Sequence, residues 1–231
     1  MGAYIDQNTG TGMNSNPSMW SDEQVDAIEV ALSTERFARY LSAASTKSGA
    51  LKLYEHNTAL SAAFYGPLQC LEVSLRNAVN SRLAPIYGAR WFANESVLVG
   101  RDLSAAREAV EQVEKVKDEA TPGRVVAELS FGFWVGLFAN VYDQNLWRTD
   151  LYHLFSPRPQ RRQLHEDLDK LRTLRNRIAH HEPIFQRALL DDYNRLTSIL
   201  RSIDPHTCTW MEHNNRVLDV LAADPGDYGR F

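Results

Sequence analysis

Residues 164–184 read LHEDLDKLRTLRNRIAHHEPI, and the spacing within them decides the fold class. Leu164, Leu168, Leu171, Arg175 and Ile178 recur at separations of four, three, four and three, the seam of a helix packed against a partner. A half-buried strand would alternate apolar and polar residues instead. The pattern predicts a helix over 164–180, loosened near its end by Pro183, because a proline biases the residue before it away from the helical region. Arg175 falls on the apolar stripe. A guanidinium there is costly unless an anion or hydrogen-bond acceptors meet it, so it is either half of a structural ion pair or a ligand for phosphate.

Working outward, residues 125–142 are almost wholly apolar and contain Phe131-Gly132-Phe133-Trp134. The run is too long for one strand and reads as a buried central helix, its aromatic residues core rather than a base-stacking platform. Ala105, Ala109, Val113 and Val116 form the apolar stripe of a charged, half-exposed helix over 102–119, stopped by Thr121-Pro122-Gly123. Further upstream, a helix over 51–63 is expected to break at Gly66-Pro67. A second follows through Leu68, Leu71, Leu75, Val79 and Leu83, closed by Pro85 and Gly88. Ser21-Asp22-Glu23 has the form of an N-cap with an acidic first turn. Downstream, helices are expected over 184–203 and 210–221. With no alternating pattern, hairpin turn or internal repeat, the class is all-α. One helical domain is expected over 21–223, with a flexible tail over 1–20 and a C-terminal tail over 224–231.

Composition narrows the function. Hydrophobic residues make up 44% and charged residues 23%, which suits a soluble globular chain. The longest apolar stretch, residues 131–142, is too short to span a bilayer, and no basic segment followed by an apolar run opens the chain. No membrane partner is expected. Cys70 and Cys208 have no metal-ligand spacing, and His206, Cys208, Glu212 and His213 match no zinc pattern. They point to reduced thiols, a cytoplasmic protein and no metal or other cofactor. The net charge of −4 disfavours a nucleic-acid partner at first sight. Residues 158–187, however, hold eight basic and four acidic residues, so a local basic site on an acidic body is compatible with it. Arg158, Arg161 and Arg162 are placed in a proline-containing loop, suited to phosphate contact or simply solvated.

Around the motif, an ideal helix sets His180 roughly 140° from Arg175, while Asn176 and His180, four apart, share a face. Loosening before Pro183 is expected to turn His180 toward the same cleft, and a helix C-terminus favours a protonated imidazole. Glu72 and Arg76 stand in the order of an intrahelical ion pair.

Residues 174–184 (LRNRIAHHEPI), 65–77 (YGPLQCLEVSLRN) and 126–134 (VAELSFGFW) together resemble the Abi-like (abortive infection) family of the HEPN superfamily. The resemblance implies a HEPN-type helical bundle with additional helices, carrying an Arg-x4-His ribonuclease site commonly built across a homodimer. In that reading His180 is the general base or acid, Arg175 the phosphate ligand and Asn176 a polar helper. Arg158, Arg161, Arg162, Arg172, Arg177 and His181 are expected to contact RNA, and Glu72, Arg76 and Asn77 to hold a secondary place. RNA supplies its own nucleophile, the 2′-OH, so no metal is required. The implied products carry 2′,3′-cyclic phosphate and 5′-OH ends. The implied role is phage defence, or the toxin of a toxin–antitoxin pair held by an RNA or protein inhibitor. The alternative is a non-catalytic RNA- or protein-binding helical module.

Overall fold

The computed structural model describes residues 20–116 and 119–223. Of the tail expected over 1–20, residues 1–19 lie outside them, as does the tail expected over 224–231. The described residues form helices and no strand, as the spacing required. Among them no helix is long and apolar enough to cross a membrane.

The chain divides into two units at Tyr54/Glu55. In the first, α1 (Asp22–Leu32) starts at the expected cap: Gln24 N donates to Ser21 Oγ, and Ser21 N donates to the Gln24 side chain. Helix α2 (Thr34–Leu41) buries Phe37 and Tyr40, and Tyr40 packs on Tyr54 with ring centres 5.0 Å apart.

Helix α3 (Lys47–Tyr87) runs through the division without a break, so the expected interruption at Gly66-Pro67 does not occur. Pro67 and Pro85 both lie inside the helix, and Gly88, with φ +88°, ends it. A proline in a helix interior costs about 3 kcal/mol. On either side of Pro67, Leu60, Phe64, Leu68, Leu71 and Leu75 stay buried on one stripe. Each contributes roughly 1.5–3 kcal/mol by burial, so two retained residues already match the cost and the rest exceed it.

From Glu55 onward the second unit adds α4 (Gly100–Val116), α5 (Pro122–Glu128), α6 (Phe131–Gly136), α7 (Arg161–Ala179), α8 (Leu189–Ile203), α9 (Pro205–His213) and α10 (Val217–Ala222). The single central helix expected over 125–142 is instead α5, α6 and a short 3-10 turn over Asn140–Tyr142. Leu129 and Ser130 are extended, Phe133 N donates to Ser130 Oγ at 3.3 Å, and Trp134 Nε1 donates to the Leu129 carbonyl at 3.1 Å. Apolarity reported burial there, while a serine able to cap a helix broke the period. Thr121-Pro122-Gly123, expected as a stop, instead starts α5, with Pro122 in its first turn. Residues 184–188 precede α8 as turns, and the last expected helix is two, α9 and α10, parted at Asn214–Arg216.

Helix α7 packs against α6 and α8 and buries Leu164, Leu168, Leu171 and Leu174. These join the α3 stripe, Trp91, Trp134, Phe138 and Leu196 in a common core. The seam continues through Leu174 rather than Arg175, which corrects the expected stripe. Arg175 sits at its edge with 42% of its side chain exposed.

Candidate functional site

The end of α7 is built by backbone bonds and one buried amide. His180 N still donates to Asn176 O at 2.9 Å, so the helical path holds through His180. The reversal comes one residue later, at His181 with φ +56°. His181 N donates to Ile178 O at 3.0 Å and Glu182 N to Arg177 O at 2.8 Å, the paired bonds of a Schellman ending. The expected loosening at His180 is therefore displaced to His181, and His180 is not swung toward Arg175. Beyond the turn, Asn57 of α3, only 5% exposed, accepts from Ile184 N at 2.6 Å and Phe185 N at 3.2 Å through Oδ1. This anchor fixes where the motif helix leaves the core.

The His180 side chain is exposed, and among the described residues its ring has no hydrogen-bond or ion-pair partner. Asn176, one turn earlier, is half-buried. Arg175 forms the ridge between two grooves. On one side, a groove of about 280 Å³ between α3 and α7 is lined by Tyr65, Glu72, Val73, Arg76 and Ile178. Arg175 Nε lies 3.6 Å from Glu72 Oε2 across it, a partial engagement longer than a hydrogen bond. The expected Glu72–Arg76 pair is not formed: Arg76 Nε donates to Asn77 Oδ1 at 3.4 Å, and Glu72 reaches across to α7.

On the other side, a groove of about 290 Å³ is bordered by Arg101, Asp102, Ser130, Gly132, Arg172 and Asn176. Asp102 Oδ2 accepts from the Tyr142 hydroxyl at 2.9 Å. Burial, reinforced by that carboxylate, pushes the Tyr142 phenol up to about 12. It is thus a permanent donor. A Cβ at Gly136 would sit 2.9 Å from Asp102 Oδ1, so only glycine admits the carboxylate there. Arg101 and Asp102 were not singled out from the sequence. The available signal was an arginine in the first turn of a helix, where the dipole favours acidic groups.

The other expected RNA contacts are distributed along the whole of α7. Arg161 and Arg162 belong to its first turn rather than to a loop. The Arg161 guanidinium donates to Asp143 Oδ1 at 3.0 Å, the Phe138 carbonyl at 2.7 Å and Asn140 Oδ1 at 2.9 Å, with 13% of the side chain exposed. Arg162 donates to Glu166 at 2.8 Å on the open surface, and Arg158 lies over the Tyr152 ring at 4.5 Å. Arg162 and His180 stand about 27 Å apart at a rise of about 1.5 Å per residue, so they do not form one site. Arg172 donates to Asp169 at 2.7 Å and Arg177 to Glu182 at 3.2 Å.

No group of three His, Cys, Asp or Glu able to hold a metal occurs among the described residues. Glu212 is taken by Arg201 at 2.6 Å and Cys208 Sγ donates to the Thr197 carbonyl at 3.4 Å.

The family model described as Abi-like protein matches residues 26–186, a span that contains both grooves and ends just past the α7 turn. No curated protein and no solved structure matches the chain.

Proposed function

The chain belongs to the Abi-like family, and from that premise we propose that it is a metal-independent endoribonuclease of the HEPN type. Family membership points to a role in abortive infection or defence. The observation that carries the catalytic reading is His180. It is an exposed imidazole at the end of a core-packed helix, without a partner among the described residues, beside an Asn176 amide and an incompletely paired Arg175.

In the proposed reaction, His180 takes the proton of a ribose 2′-OH. The 2′ oxygen then attacks the adjacent phosphorus, and the bond from phosphorus to the 5′ oxygen breaks. Imidazole suits this step because its unperturbed pKa is near neutrality. Arg175 offers its guanidinium to the phosphoryl oxygens as charge builds on them. The leaving 5′ oxygen needs a proton, and one chain presents one exposed motif histidine on a row apart from Arg175. A second copy of the chain, docked isologously, supplies the second imidazole. A cytoplasmic RNA is the substrate, and a cognate RNA or protein inhibitor keeps the activity in check.

The separation of His180 from Arg175 within one chain is also the observation that favours the second reading, a binding module without catalysis. The test is incubation of wild type, His180→Ala and Arg175→Ala with total RNA in excess chelator, followed by mapping of new 5′-OH ends. Cleavage by wild type, reduced by about 100-fold or more in both variants, is expected. RNA retention without new ends in any of the three selects the binding module.

A further inference from the structure

We infer that the groove between α4, α6 and α7 is a subsite for a backbone phosphate next to the scissile linkage of a single RNA strand, gripped by Arg101. The inference rests on the ribonuclease reading for its substrate class, but on different residues. Arg101 lines the groove, is exposed, and has no ion-pair or hydrogen-bond partner among the described residues. It contrasts with Arg161, Arg162, Arg172 and Arg187, all of which are held by carboxylates of the same chain. Its place in the first turn of α4 is one where the helix dipole opposes a cation.

From the facing helix the incompletely paired Arg175 adds a guanidinium and Asn176 an amide, while Arg172 borders the groove with its guanidinium held by Asp169. The one carboxylate on the lining, Asp102, is turned into the fold by the Tyr142 hydroxyl and the bare Gly136 backbone. Gly132 borders the groove beside the Arg172 side chain. A volume of about 290 Å³ is near the lower limit of small-ligand clefts, roughly 300 Å³, room for one nucleotide-sized group. Arg175 borders this groove as well as the one holding Glu72. A strand with its scissile phosphate at Arg175 therefore presents a neighbouring phosphate to Arg101.

The probe is a short single-stranded oligoribonucleotide of mixed sequence, 2′-O-methylated so that it cannot be cut, titrated by fluorescence anisotropy at several salt concentrations. Arg101→Gln is expected to weaken binding several-fold and to lower the slope of log affinity against log salt by about 0.7. On a cleavable version it is expected to raise KM at unchanged kcat and melting temperature, and Arg101→Lys restores most of the loss. Wild-type cleavage with an Arg101→Gln variant identical in affinity and salt slope overturns the subsite and leaves the ribonuclease reading standing. An Arg101-dependent slope without cleavage overturns the ribonuclease reading and leaves Arg101 as a phosphate ligand of a binding module. An absence of both wild-type binding and cleavage overturns both.

Discussion

The two ends of α7 are both basic, yet their charges are used in opposite ways. At the first turn, Arg161 spends every donor direction on the protein itself: a carboxylate, a backbone carbonyl and a side-chain amide. At the last turn, Arg175 only approaches Glu72, and His180 projects from the helix cap with its ring unengaged among the described residues. A guanidinium already satisfied by acceptors of its own chain has little left to offer a phosphate, and removing Arg161 takes a donor from the carbonyl of the buried Phe138 and a cation from Asp143. Local charge counts do not separate these cases. Satisfaction of donors does.

The comparison is most exposed to failure at Arg161. Arg161→Ala is expected to lower stability by about 2–3 kcal/mol in urea unfolding, with RNA affinity unchanged. Lost RNA binding in a variant of unchanged stability would erase the distinction between the two ends. At the other end, Asn57→Ala removes the shared acceptor of Ile184 N and Phe185 N. A loss of about 2 kcal/mol is expected, together with faster amide exchange at residues 184 and 185. Unaltered exchange there would mean that the exit from α7 is fixed by something else.

His181→Gly sharpens the picture further. With φ +56°, His181 occupies a conformation that glycine adopts without steric cost, so a gain of up to about 1 kcal/mol in stability is expected. If the same variant loses RNA affinity, the strained histidine is retained for binding rather than for the turn. The smallest effect is expected from His165, which sits in the first half of α7. Burial, as the leading cause, holds its pKa below the usual 6.5. The folded state then binds fewer protons than the unfolded state, so this contribution to stability is complete above pH 6.5. It is lost as the pH falls from there through the lower folded value. His165→Gln should flatten the melting temperature between pH 7.5 and 5.5, relative to wild type, by a small amount. An unchanged pH profile would assign that dependence to other groups.

The seam Leu164, Leu168, Leu171 and the stripe Leu68, Leu71, Leu75, Val79, Leu83 were legible in the sequence, because burial of a helix face leaves a period in the chain. The Ser21 cap and the Gly88 stop were legible for a similar reason: both are local, requiring a hydroxyl or a positive φ at one position. The Arg-x4-His motif is itself a feature of the chain, since Arg175, Asn176 and His180 lie within six residues. Local rules failed where distant contacts outweighed them. Pro67 ought to interrupt α3, and the apolar residues flanking it hold the helix together. Residues 125–142 look like one helix by composition, and the Ser130 cap with the Trp134 indole bond divides them.

The sequence alone determined that this protein is helical, where its main apolar faces run, and which residues make up the Arg-x4-His motif, since each depends on neighbours within a few turns. The tertiary structure decided which charges are already satisfied. Glu72 turned from Arg76 to Arg175, Arg161 was drawn into the fold, and Arg101, remote from the motif in the chain, was brought to the groove beside Arg175 and Asn176. An ion pair or a groove depends on distance in space. Chain separation carries that information only as far as one helix turn reaches.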